Sequence, residues 1–474
     1  MNHQIIRFFL ITMIIGLIGS SCKKESFITS TDASLFTTVD TIKFDTLFTN
    51  TGSITKSFKI INDNNQKLLI STIQLMGGNT SSFKLNINGV AASILSNIEI
   101  DANDSIYVFV SVNANPSNSN LPFLINDSIL ISYNGNNRFV QLQAYGQRAH
   151  FLTNIIIDRD TIWENDLPYV ISGSLLINPN VSLTLNAGCK IYAHANAPIL
   201  VDGTLIVNGE KNNEVVFTGD RLDEYYKDLP ASWPGIYFRK TSTNNTLTYA
   251  ILKNATDALV VDSIASNTHP KLSLHQCIVD NALKSGLLST NSSVDADNTL
   301  ISNCGKNISI QQGGVYHFTN CTIAAYSNNF ILHNNPILQL NNFSSIDNII
   351  ISNTLSADFK NCILWGEGLN YGDEISIGKE GNNTFDVSFR NCLINSSIDN
   401  SIVNLDSIIR NQDPLFDSID AYHNYYDFRT TINTTSPVID AGRDTIPSLF
   451  PKDLDDHPRI FGLKTDIGCY EKQN

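Results

Sequence analysis

The chain has 474 residues, a formal net charge of −14 and a pI near 5.0. That acidic balance argues against nucleic acid as a partner, since such binding needs clustered Lys and Arg, and against electrostatic adsorption to anionic headgroups. Cysteine occurs at positions 22, 189, 277, 304, 321, 362, 392 and 469 without a CxxC pair, a poor pattern for either a disulfide framework or a zinc site.

The first element is a basic residue, Arg7, leading an apolar run from Phe8 to Ile18, then Gly19-Ser20-Ser21-Cys22 and Lys23-Lys24-Glu25. A positive start, a short apolar stretch and small residues before a cut describe a secretory signal; a spanning helix would need about 20 apolar residues. Residues 1–22 resemble the signal and lipobox of bacterial lipoproteins, with Gly19 where Leu is commonest. The resemblance implies that Cys22 carries the lipid and that the membrane is a partner through that lipid. It also implies an outer-membrane location, with outward exposure as the expectation. Residues 23–35 are polar and small and read as a flexible tether.

Residues 36–148 alternate apolar and polar positions with a period of two, as in Ser105-Ile106-Tyr107-Val108-Phe109-Val110-Ser111-Val112, between Asn-, Asp- and Gly-containing turns. This spacing predicts a β-sandwich. The phrases Ile61-Asn62-Asp63-Asn64, Ile100-Asp101-Ala102-Asn103, Val112-Asn113-Ala114-Asn115-Pro116 and Val140–Gly146 resemble the immunoglobulin-like domains of the Hydin/centrosomal class. Fold is implied by that resemblance, and chemistry is not.

Over 149–435 a repeat emerges. Leu272-Ser273-Leu274-His275-Gln276-Cys277 aligns with Val294-Asp295-Ala296-Asp297-Asn298-Thr299, 22 residues on, and Leu247-Thr248-Tyr249 aligns 27 residues earlier. Phe318-Thr319-Asn320-Cys321, Phe359-Lys360-Asn361-Cys362 and Phe389-Arg390-Asn391-Cys392 keep the phrase. A repeat of 22–27 residues built from short strands predicts a parallel β-helix. Its Asn298, Asn320, Asn361 and Asn391 are expected to stack as a turn ladder. Cys277, Cys321, Cys362 and Cys392, with Thr299, should fill one interior column as small hydrophobes, and Cys304 a neighbouring one with Ala255 and Ala282. This part resembles the right-handed parallel β-helix lipoproteins of Bacteroidetes-type bacteria. The resemblance is carried also by Thr218–Leu222 with Trp233–Tyr237, and by the closing phrases Ser436–Gly442, Asp453–Arg459 and Asp466–Glu471. Residues 436–474 are expected to cap the open end of the solenoid, with Asp453, Asp455 and Asp466 paired to Arg459 and backbone amides.

Extracellular β-helices include polysaccharide lyases and hydrolases, which need carboxylates about the scissile bond, or a base with a means of neutralising a uronate. No paired-carboxylate phrase of that kind occurs, and Lys and Arg are sparse through the repeats, so no catalytic residue is assigned. Tyr225, Tyr226 and Trp233 in the insertion after Thr218 are candidate sugar-stacking residues, and Trp365 and Tyr371 in the segment after Cys362 are candidate ligand-binding residues of a groove-edge loop. Corner packing for Trp233 and a plain connection for 365–374 are the bland alternatives. Asp220, Asp223 and Glu224 form a weak calcium candidate; no other cofactor is expected. The leading expectation is an all-β, lipid-anchored envelope protein that binds a surface glycan without catalysis, the sandwich acting as spacer. The alternatives are a lyase or hydrolase of acidic glycans and a structural envelope component.

Overall fold

The computed structural model describes residues 26–48, 53–113, 123–346, 349–367, 372–432, 435–443 and 451–473. Cys22 and Tyr371 lie outside them. The chain forms two units, Met1–Gln147 and Arg148–Asn474. Its described residues are nearly all strand and turn, with one 3-10 turn at Gly78–Thr80. No helix among them is long and apolar enough to cross a membrane.

The first unit is a sandwich of two five-stranded sheets. One sheet orders Leu35–Thr37, Lys56–Asn62, Asp104–Val112, Phe83–Ile87 and Val90–Ala91; the other orders Thr41–Phe48, Asn136–Gln147, Phe123–Tyr133, Leu68–Leu75 and Ile94–Ile100. The period-two pattern places Phe58, Ile60, Val108, Val110, Ile129 and Ile131 between the sheets, all buried. Asn62 pins the following turn, its amide donating to the carbonyls of Gln66, Ile100 and Asp101. Residues 26–34, expected as tether, are held on the sandwich instead. The Ile28 amide donates to Lys67 O, Asn134 Nδ2 donates to Ile28 O and Ser30 O, and Ala33 is buried. The reason is that Ile28 and Ala33 break the polar run with apolar groups that pack on the sandwich core.

The second unit is a parallel β-helix, a 26-stranded continuous ladder wound into three faces. Face A carries Thr161–Trp163, Ser182–Asn186, Thr204–Asn208, Asn245–Thr248, Leu272–His275, the ends of Ser285–Asp297 and Lys306–Thr319, then Leu355–Lys360, Phe385–Arg390 and Asn404–Asp406. Face B follows with strands such as Ile278–Asp280, Leu300–Ser302, Thr322–Tyr326 and Ile363–Glu367. Face C includes Ile236–Phe238, Asp257–Asp262, the first halves of Ser285–Asp297 and Lys306–Thr319, and Leu338–Asn341.

The stacked residues explain the repeat. On face A, Leu247, Leu274, Ala296, Phe318, Phe359 and Phe389 lie in register and point into the core. At the A-to-B corner, Tyr249, Gln276, Asn298, Asn320, Asn361 and Asn391 all have φ between 45° and 52°. Asn tolerates this left-handed region better than most residues, which is why it dominates the corner. Asn361 Nδ2 donates to Asn320 Oδ1 at 3.1 Å. Behind the corner, Cys277, Cys321, Cys362 and Cys392 are fully buried. Each thiol donates to a carbonyl of the preceding coil: Leu247 O, Ala296 O, Phe318 O and Phe359 O respectively. Burial pushes the Cys277 thiol up to about 12, so this column is packing rather than reactive sulfur.

The C-terminal segment does not behave as an end cap. It runs back along the outside of face B. Asp455 binds Lys211, Gln276 donates to Asp453 O, the Cys469 amide donates to Thr322 Oγ1 and the Gly468 amide donates to Asn361 O. The cause lies in face B itself, whose outward positions are apolar: Leu300, Ala324, Ile363 and Leu393 are buried beneath Leu454, Cys469, Val438 and Ile467. Asp455 pairs with Lys211 and Arg429 rather than with Arg459, whose Nη2 donates to Asp466 O and Gly468 O.

Candidate functional site

With face B covered, face A presents an open polar surface. Alternate residues of its strands point outward, and stacking turns them into columns. One column reads Ile162, Thr184, Ile206, Thr246, Ser273, Asp295, His317, Asp358, Ser388, Asn404. Beside it run Asn186, Asn208, Thr248, His275, Asp297, Thr319, Lys360, Arg390 and Asp406. At about 4.8 Å per rung, ten rungs extend roughly 40 Å. The early rungs mix hydroxyl and amide groups with the outward Ile162 and Ile206. From His275 onward the surface is charged.

The charges are organised across rungs. His275 Nδ1 lies 2.6 Å from Asp297, and His317 Nδ1 lies 2.7 Å from Asp295. The second pair is about half exposed, and the His317 Nε2 has no partner among the described residues. The Asp295 hydrogen bond holds the His317 imidazole above the usual histidine range. On the next rung Asp358 accepts from Lys360 at 2.7 Å and from Ser388 at 2.6 Å, with Arg390 at 3.7 Å. Burial pushes Asp358 up, but the Lys360 and Ser388 hydrogen bonds and the two cations outweigh it and hold the group below the ordinary carboxylate range. Residues 342–354 leave the coil at the C-to-A corner just before this rung as an antiparallel ribbon, Phe343–Ile346 with Ile349–Ser352.

The aromatic candidates do not gather here. Trp233 is 1% exposed, donates its indole N–H to Lys253 O at 2.8 Å and stacks on Phe217; it is a corner-packing residue. Trp365 is partly buried against the C-terminal segment. Tyr226 lies under the Arg221 guanidinium at 4.1 Å, which leaves Tyr225, at 73% exposure, as the open aromatic of the insertion. The carboxylates of the calcium candidate also diverge: Asp220 faces His194, Asp223 takes both arms of Arg221, and Glu224 binds Lys227. Arg221 and Lys227, carried by the insertion itself, take up Asp223 and Glu224 separately. Among the described residues no group of three His, Cys, Asp or Glu is placed to hold a metal.

The charged rungs were missed from sequence because Lys360 and Arg390 stand 30 residues apart and far from Asp295. The signal was present in the repeat phrase: the residues between its inward apolar positions are the outward columns.

No family model matches this chain, and no curated protein matches it. Among solved structures, one match is to a family 123 glycoside hydrolase from Clostridium perfringens, described in a structural analysis of glycolipid glycan hydrolysis. It has 10% identity and a TM-score of 0.17, over 24% of this chain and 25% of that one. The match spans about a quarter of that protein's length.

Proposed function

We propose that this is an envelope protein that binds a glycan along face A of its β-helix. The observation that carries the reading is the polar ladder from Thr246 to Asn404, whose hydroxyl, amide and charged groups repeat at rung spacing and suit an extended, polyhydroxylated polymer. Direct polar contacts to such a polymer are individually modest, so a long ladder is the economical way to gain affinity. The test is retention of the full chain on a glycan array. The double variant Asp295→Ala/His317→Ala, at a half-exposed pair, should weaken the retained glycans at least tenfold and leave the unfolding midpoint unchanged. Retention of nothing, or equal retention by the variant, ends the reading.

A second reading is supported by one observation: the free Nε2 of His317 stands one rung from Asp358 and Lys360 and two from Arg390. A base beside two cations is the equipment for removing a proton next to a sugar carboxylate. Unsaturated product from uronate polymers, lost in His317→Ala, would support it; no product with or without calcium leaves binding alone.

The anchoring part of the proposal rests on Arg7, the Phe8–Ile18 run and Gly19–Cys22. Cys22→Ala should abolish incorporation of labelled palmitate and move the protein from the membrane pellet to the soluble fraction. Unchanged labelling would exclude Cys22 as the lipid site.

A further inference from the structure

Face C carries a cleft that the ladder does not use. It is lined by Asp257, Lys284, Lys306, Ser309, Gln311 and Asn335, together with the apolar Leu283 and Leu288. Asp257, Ser285 and Lys306 stand in register on three successive rungs, and Lys284 precedes Ser285 directly. The Lys306 amide donates to Lys284 O at 2.7 Å, so the two lysines are fixed on neighbouring rungs. Neither ammonium makes an ion pair or hydrogen bond with another described residue. In a chain with 45 Asp and Glu against 31 Lys and Arg, two such lysines in one concavity are unusual. Like charges on adjacent strands repel, and Asp257 is the one carboxylate that lines the same cleft. The remaining wall is polar. Asn335 Nδ2 donates to Gly305 O at 3.1 Å, and Gln311 Nε2 donates to Ser309 Oγ at 3.3 Å, which turns the Ser309 hydroxyl hydrogen free to donate elsewhere.

We propose that this cleft binds an oxyanion: a carboxylate, sulfate or phosphate group held between the Lys284 and Lys306 ammoniums, with Ser309 donating to it. Lysine suits this role because its ammonium is a compact point charge that approaches an oxyanion from any direction. The anion removes the repulsion between the lysines, so binding weakens as salt rises. The site lies on a different face from the glycan ladder and stands or falls separately from it.

The test is calorimetric titration of the full chain with sodium sulfate, trigalacturonate and neutral maltotriose. Sulfate and trigalacturonate are expected to bind, and maltotriose not to bind at this cleft. The double variant Lys284→Ala/Lys306→Ala should weaken both anions at least tenfold, while Lys284→Arg/Lys306→Arg retains them. The ladder variant Asp295→Ala/His317→Ala should leave sulfate binding unchanged. Binding of trigalacturonate with no binding of sulfate would identify the oxyanion as one borne by a saccharide. Absence of anion binding, equal binding by the Ala double variant, or loss of sulfate binding in the ladder variant would overturn the proposal.

Discussion

Phe359→Ala is expected to destabilise the β-helix by about 3–5 kcal/mol, the range for removing a fully buried aromatic ring. Phe359 is the middle ring of a stack: its centroid lies 4.9 Å from Phe318, at 4° between planes, and 4.9 Å from Phe389, at 11°. All three are completely buried on face A. Alanine removes both stacking contacts and leaves a cavity that the rigid rungs above and below cannot close. Since each coil is held by its neighbours, the loss spreads to the adjacent rungs. Phe359→Leu keeps most of the volume and should cost roughly 1 kcal/mol. Denaturant midpoints of the two variants against the wild type check this; equal midpoints would mean that the stack is not part of the stabilising core.

The second large effect is pH-dependent and sits in the C-terminal segment. Glu471 is 1% exposed and accepts from the amides of Asp466 and Phe461 and from Thr465 Oγ1. Burial, with Asp466 nearby, pushes its carboxyl up to about 8 from an ordinary 4.5. A raised folded value means that the native state holds a proton the unfolded chain has released. The associated stability is fully present below about 4.5 and is lost as pH rises through about 8. Asp453 and Asp466 are raised by burial in the same sense, and the buried Arg459 opposes the rise in all three. Between pH 5 and 9 the segment should loosen by a few kcal/mol, an order-of-magnitude figure. Global unfolding is a poor reporter, because Lys271, buried and bound to the carbonyls of Arg239, Lys240 and Asp262, is brought down to about 8. A depressed lysine makes the folded state gain relative stability as pH rises from about 8 to 10.5. Amide exchange over residues 453–471 separates the two. It should accelerate from pH 5 to 9 beyond the intrinsic base dependence in the wild type and lose a large part of that excess in Glu471→Gln. The same excess in both would assign it to another group.

Much of the fold could be read from the repeat phrase. Asn298, Asn320, Asn361 and Asn391 mark a corner because only a few residue types accept its backbone, and the cysteines after them mark the small interior position. The phrase also contained the site. His275 above Asp297 and Ser273 above Asp295 occur within the aligned pair of segments. The downstream rungs were harder, because Phe318 and Phe359 are neighbours in space but 41 residues apart in the chain, the interval holding a corner loop and the Phe343–Ser352 ribbon. The course of the C-terminal segment left a fainter trace. Leu300-Ile301, Ile363-Leu364 and Leu393-Ile394 are apolar on successive residues, the mark of a strand covered on both sides, but nothing in the spacing says what supplies the cover.

That cover changes how the solenoid can come apart. A stack of coils joined only to its nearest neighbours can fray from either end, one turn at a time. Here Lys211 is fastened to Asp455, 244 positions later, and Asn361 to Arg443. These ties close long circuits across turns that would otherwise open independently. Peeling a terminal turn then requires breaking a distant clasp as well, so partial fraying gives way to concerted opening. The same circuits impose an order on synthesis: the coils can wind as they emerge, but Leu300, Ala324, Ile363 and Leu393 stay uncovered until Val438, Leu454, Ile467 and Cys469 arrive.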